Sequence, residues 1–175
     1  MWNEILILNA VLIVCLILSA VTDVLYGKIY NYVTYSAVVA GVILNTVFYG
    51  EAGLRVSFFG FAIGFGPFLI LCLLGVINGG DVKLLAAIGA LRGYPFIIRA
   101  IFLSFLVAAF FALAKMIWKG QVVVTIKRVF TNLMNLVIPG RVIETYQNEE
   151  TIPFGLAACI GTLWALTNAG LDLSA

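Results

Sequence analysis

Apolar runs recur along this chain at lengths that fit a bilayer, since a helix needs about 20 apolar residues to cross the hydrocarbon core. Ile5 to Val21, broken only by Asn9 and Ser19, is the first such run; Tyr32 to Tyr49 and Val56 to Ile77 follow. The third run contains Gly66-Pro67, which predicts a kink, and Gly60 and Gly64, whose spacing lets a second helix approach closely. Val82 to Leu91 is apolar apart from Lys83 but short. Arg92-Gly93-Tyr94-Pro95 then breaks the pattern before Phe96 to Trp118 makes a full span. Ile152 to Leu171 closes the series and is entered through Pro153, which a first helical turn tolerates. The pattern predicts an all-α, polytopic membrane protein of six transmembrane helices, the fourth of them short.

Between Lys119 and Glu150 lies the only long hydrophilic stretch. Within it Val122, Ile126, Val129, Phe130, Leu133, Leu136 and Val137 recur at helical spacing opposite Thr125, Lys127, Arg128 and Asn132. That is the pattern of an amphipathic helix in the interface plane, between the fifth and sixth spans, either a membrane-hugging connector or a surface for docking substrate. Orientation follows from the basic residues. With the amino terminus outside and six crossings, Lys28, Lys83, Lys115, Lys119, Lys127, Arg128 and Arg141 are cytoplasmic, against Arg55, Arg92 and Arg99 outside. In this topology Asp23 follows one crossing and Asp81 follows three, so both lie at the cytoplasmic face.

Composition agrees with the membrane reading: 63% of the residues are hydrophobic and 10% charged. One membrane-embedded domain over residues 1–175 is the natural count. The net charge of +2 has no clustered basic stripe, so nucleic acid is not an expected partner, whereas the lipid bilayer is. Histidine is absent, which excludes Ser-His-Asp and Cys-His catalysis and the H-E-x-x-H metal helix. Cys15, Cys72 and Cys159 stand apart within apolar runs and read as core residues, so neither a metal site nor a cofactor is expected. The start, Met1-Trp2-Asn3-Glu4, carries no positive side chain before the first apolar run and reads as an anchor.

Carboxylates remain as the acid and base. Asp23 ends the first apolar run, and Asp81 opens the short fourth after Asn78-Gly79-Gly80. Two aspartates within hydrogen-bond reach of one water can hydrolyse a peptide bond: one takes the water's proton while the other, protonated, polarises the scissile carbonyl. Like charges so close cannot easily both ionise, so the pair is expected to share a proton. Asp81 at a helix start is the expected base and Asp23 at a helix end the expected acid. Gly79 and Gly80 leave room for an extended substrate backbone, or form an ordinary helix-breaking turn. Lys83 either neutralises Asp81 or reaches lipid headgroups. Tyr26, Tyr30, Tyr32 and Tyr35 read as an aromatic belt.

These residues resemble the type IV prepilin peptidase family of GxGD membrane aspartyl proteases, in particular the short form of tight-adherence, Flp-type pilus systems. Asp23, Ile29 and Asn31 fall in register with the family's D-x5-I-P-N, with Tyr30 in place of proline. Gly80-Asp81-Val82-Lys83-Leu84-Leu85 matches G-x-G-D-V-K-L-L from its second glycine, with Asn78 replacing the first, and asparagine tolerates a left-handed conformation. Pro153-Phe154-Gly155 resembles the opening of the family's last span. The resemblance implies that Asp23 and Asp81 are catalytic, that Gly79, Gly80, Lys83 and Asn31 support them, and that the partner is a prepilin or pseudopilin. Its short basic leader would be cut on the cytoplasmic side, just before a hydrophobic helix. Longer members of the family carry a CxxC-containing zinc ribbon and methylate the new terminus; with no CxxC here, cleavage without methylation is expected. Read from the residues alone, the same carboxylates also suit an ion- or proton-coupled transporter, and an inactive scaffold subunit of a secretion complex is a third class.

Overall fold

A computed structural model describes residues 2–118, 120 and 153–172. The amphipathic segment expected between the fifth and sixth spans lies outside the described residues. Five helices are present among the described residues: α1 (Trp2–Tyr26), α2 (Asn31–Leu73), α3 (Gly79–Arg92), α4 (Phe96–Trp118) and α5 (Phe154–Asp172). Three of them, α1, α2 and α4, are long and apolar enough to cross a membrane. The chain divides into one unit of Met1–Ala108 with Pro153–Ala175, and a second of Ala109–Ile152, in which the described part is the end of α4 and Gly120.

A straight helix of 43 residues, the length of α2, would extend about 65 Å, twice the hydrocarbon thickness of a bilayer. It does not run straight. Gly50 takes φ 59° and ψ −139°, a backbone conformation that residues with a Cβ rarely adopt, and divides the helix into limbs 31–49 and 51–73. The limbs run oppositely along α3: Asn31 meets Lys83 and Asn45 meets Ala90 in the first, whereas Ser57 meets Ala90 and Gly64 meets Leu85 in the second. This reversal falls between the second and third apolar runs, and Gly66-Pro67 lies within the second limb, where the helix continues. Pro67 removes one backbone hydrogen bond inside a continuing helix, while the left-handed φ at Gly50 redirects the chain.

The short α3 is the centre of the fold. Asp81, Val82 and every residue from Leu84 to Leu91 are buried, so this helix is enclosed all round, whereas α1 and α4 each keep an exposed apolar side. Small residues permit the enclosure. Gly60 and Gly89 meet backbone to backbone, Gly64 lies on the Leu85 carbonyl, and a Cβ at Gly41 would stand 2.8 Å from the Ala90 carbonyl. The expected close approach at Gly60 and Gly64 is therefore present, and α3 is what it admits.

Polar ties complete the packing. Asn45 Nδ2 donates to the carbonyls of Gly41 (2.9 Å), Ala90 (3.2 Å) and Leu91 (3.1 Å), and Ser57 Oγ donates to Ala90 O at 2.7 Å. These bonds satisfy the last carbonyls of α3, which have no partner within their own helix and no water in an apolar interior. On the other side, Gly161 of α5 sits against the backbone of Ser104 in α4, and Phe105 stacks on Phe68 at 5.7 Å. Cys15 and Cys159 are buried, Cys72 is half-buried and all three are free, as core residues would be.

Candidate active site

Asp23 lies in the last turn of α1. The helix ends at Gly27, whose left-handed φ of 62° lets its N–H turn back to the Asp23 carbonyl at 2.8 Å. The side chain is half-buried and held from across the fold: the Gly155 N–H donates to Asp23 Oδ2 at 2.6 Å. Gly155 is in the first turn of α5, where backbone N–H groups lack helical partners, so a carboxylate is a natural acceptor. The contact is close enough to require glycine. A Cβ at position 155 would stand 2.9 Å from Asp23 Oδ2 and Cβ, and 3.1 Å from the Ser19 carbonyl.

Asp81 is the third residue of α3 and is only 7% exposed. Asn78 precedes the helix in an extended conformation, φ −74° and ψ 145°, and its carbonyl accepts the Asp81 N–H at 3.1 Å. The left-handed tolerance of asparagine is thus not what position 78 uses; an N-cap residue is normally extended. Gly79 and Gly80 are not a helix-breaking turn either, because both belong to the first turn of α3. Gly80 packs on the α1–α2 connection, with an added Cβ 3.2 Å from that of Ile29. Space is found at Gly79, where the nearest group to an added Cβ is Cys72 Sγ at 3.8 Å.

The two aspartates, 58 positions apart in the chain, come together at one end of α3, near enough for the charge of Asp23 to act on Asp81. Among the described residues Lys83 makes no ion pair with Asp81. It lies two positions beyond Asp81, a spacing that points side chains to different faces of a helix. Its Nζ instead donates to Asn31 Oδ1 at 2.8 Å and lies 5.4 Å from the centre of the Tyr35 ring. Two supporting residues named from the sequence are thereby joined, tying the start of α2 to the start of α3. Around them Tyr26, Tyr30, Tyr32 and Tyr35 are exposed, with Tyr30 and Tyr32 stacked at 5.4 Å.

Gly155 is the residue that sequence reasoning left out of the site. Its signal was Pro153-Phe154-Gly155 at the opening of the last span, which marks a helix start with free N–H groups and no Cβ. Because Asp23 faces that helix start, both carboxylates lie at a helix N-terminus, and the macrodipole no longer separates the acid from the base. Among the described residues no group of three or more His, Cys, Asp or Glu side chains is placed to hold a metal ion.

Neither curated proteins nor solved structures gave a match to the chain. Residues 10–113, more than half of the sequence and including both aspartates, match the type IV leader peptidase family. A matched region of that extent places the chain in a family of peptidases: it belongs to the type IV leader peptidase family.

Proposed function

We propose that this protein is an aspartyl endopeptidase that removes the leader peptide of Flp-type prepilins or pseudopilins at the cytoplasmic face of a bacterial inner membrane. The observation that carries the reading is the convergence of Asp23 and Asp81 at the start of α3 in a chain of this family. Six crossings fit the described helices: α1, the two limbs of α2, α3, α4 and α5. The excess of basic residues then sets the aspartate end toward the cytoplasm.

In the reaction, a water between the carboxylates gives a proton to one of them as its oxygen attacks the scissile carbonyl, which the other, protonated, polarises. The tetrahedral diol collapses as the amine leaves with a proton, and the pair returns to sharing one proton. Gly155 fixes Asp23 through its N–H, and the space at Gly79 admits an extended substrate backbone beside Asp81. Lys83 and Asn31 hold the starts of α2 and α3 together around this space.

Co-expression with a prepilin tests the proposal. Wild-type protein should release the leader, while Asp23→Asn and Asp81→Asn should each leave the precursor intact although the protein still accumulates in the membrane. Cleavage persisting in either variant would refute the paired-carboxylate mechanism, and an intact precursor with the wild type would refute the substrate assignment.

A further inference from the structure

Arg92, the last residue of α3, stands eleven residues beyond Asp81, about 16 Å along the helix and at its opposite end. There the fold forms a half-open cavity of about 340 Å³, lined in part by Ile5 and Leu8 of α1, by Tyr49, Ala52 and Val56 around the reversal of α2, and by Arg92. Its size is within the range of small-molecule sites, roughly 300–1,000 Å³. Among the described residues Arg92 is the one charged side chain of the lining.

Among the described residues the arginine is held but not neutralised. Its guanidinium lies over the Phe96 ring at 4.9 Å, and its Nε is buried with no hydrogen-bond partner. A basic residue in the last turn of a helix ordinarily serves the terminal carbonyls. Here Ala90 O and Leu91 O already accept from Asn45 and Ser57, so that role is taken. No carboxylate is bonded to Arg92 among the described residues. A part-buried cation with an unpartnered N–H is costly until an anion meets it, and a guanidinium presents its N–H groups in the fork that a phosphate accepts.

We propose that this cavity binds the phosphate head of an anionic glycerophospholipid, with Arg92 donating to the phosphate and the apolar walls covering the start of its hydrocarbon portion. Two features favour a lipid of net negative charge. The walls are largely hydrocarbon, which suits an amphiphile better than a strongly hydrated free anion. Among the described residues the lining also has no acidic side chain to receive the ammonium of a zwitterionic headgroup. The site is remote from the aspartates, and the proposal does not depend on leader cleavage.

The test is titration of the purified full chain in a non-ionic detergent with short-chain phosphatidylglycerol, short-chain phosphatidylcholine or sodium phosphate, read as retained ligand by native mass spectrometry. Phosphatidylglycerol should bind most tightly. Arg92→Gln should weaken it by about tenfold or more, the scale of one charge-assisted hydrogen bond, with Arg92→Lys between the two. Ala52→Phe, which fills the cavity and leaves the cation in place, should displace the lipid as well, and it keeps the proposal testable if Arg92→Gln does not fold. Equal retention of phosphatidylglycerol by the wild type and both cavity variants would overturn the site. Sodium phosphate binding as tightly as the lipid, or phosphatidylcholine matching phosphatidylglycerol, would overturn its assignment to an anionic lipid.

Discussion

Replacing Gly155 by alanine probes how finely Asp23 is positioned. The added Cβ would lie 2.9 Å from Asp23 Oδ2, 2.9 Å from Asp23 Cβ and 3.1 Å from the Ser19 carbonyl, all inside ordinary van der Waals contact. Two of the three groups belong to the carboxylate's own residue, and the third is helix backbone that cannot rotate away. Relief therefore requires α5 to move off α1 by a few tenths of an ångström, or Asp23 to rotate and leave the 2.6 Å bond from the Gly155 N–H. A hydrogen bond to a charged group contributes about 1.5–3 kcal/mol, and misplacing a reacting group by about 1 Å costs on the order of a hundredfold in rate. A fall of about ten- to a hundredfold in kcat, with KM little changed, is expected. Quantitative leader-cleavage kinetics on purified protein would measure it. Gly161→Ala provides the comparison, since its Cβ would meet the Ser104 backbone away from the aspartates and should lower stability without that selective loss of kcat. Gly66→Ala, with nothing within 4 Å of the added carbon, should be close to neutral. Full activity in Gly155→Ala would refute the positioning of Asp23 by α5.

Two further outcomes follow from the same structure. Asn45→Ala leaves the Leu91 carbonyl without its donor in the interior and should reduce stability by about 1–3 kcal/mol, read as a lower unfolding midpoint in detergent; an unchanged midpoint would contradict the capping role of Asn45. The rate of leader removal should fall at both low and high pH, because one carboxylate must be charged and the other protonated, and a profile with only one ionisation would exclude the shared proton.

Much of this architecture was legible in the sequence because a bilayer imposes length. Phe96 to Trp118 appears as a helix with those bounds, and Gly60 and Gly64 announced a close helix contact that the structure places against α3. Asp23 and Asp81 stood out as carboxylates beside apolar runs, and the fold brings them together. Less legible was anything that depends on which helix neighbours which. Gly50 looked like the end of a run, yet its left-handed φ reverses α2 within a single residue. Lys83 was weighed against Asp81 along the chain, while its bond is to Asn31, 52 positions away. Gly155 was seen as part of a helix opening, but only the meeting of α5 with α1 shows that its N–H serves Asp23. Local pattern fixes where a helix starts and which face is small; the partner across the contact is a property of the folded chain.

The central claim is that Asp23 and Asp81 act as one unit on one water. A double-mutant cycle on leader removal addresses it, comparing wild type, Asp23→Asn, Asp81→Asn and the double variant at matched folded concentration. Groups that work together lose their whole contribution when either is removed, so the double variant should be no slower than the slower single variant. Losses that multiply, or a single variant retaining most of the wild-type rate, would contradict a shared catalytic water.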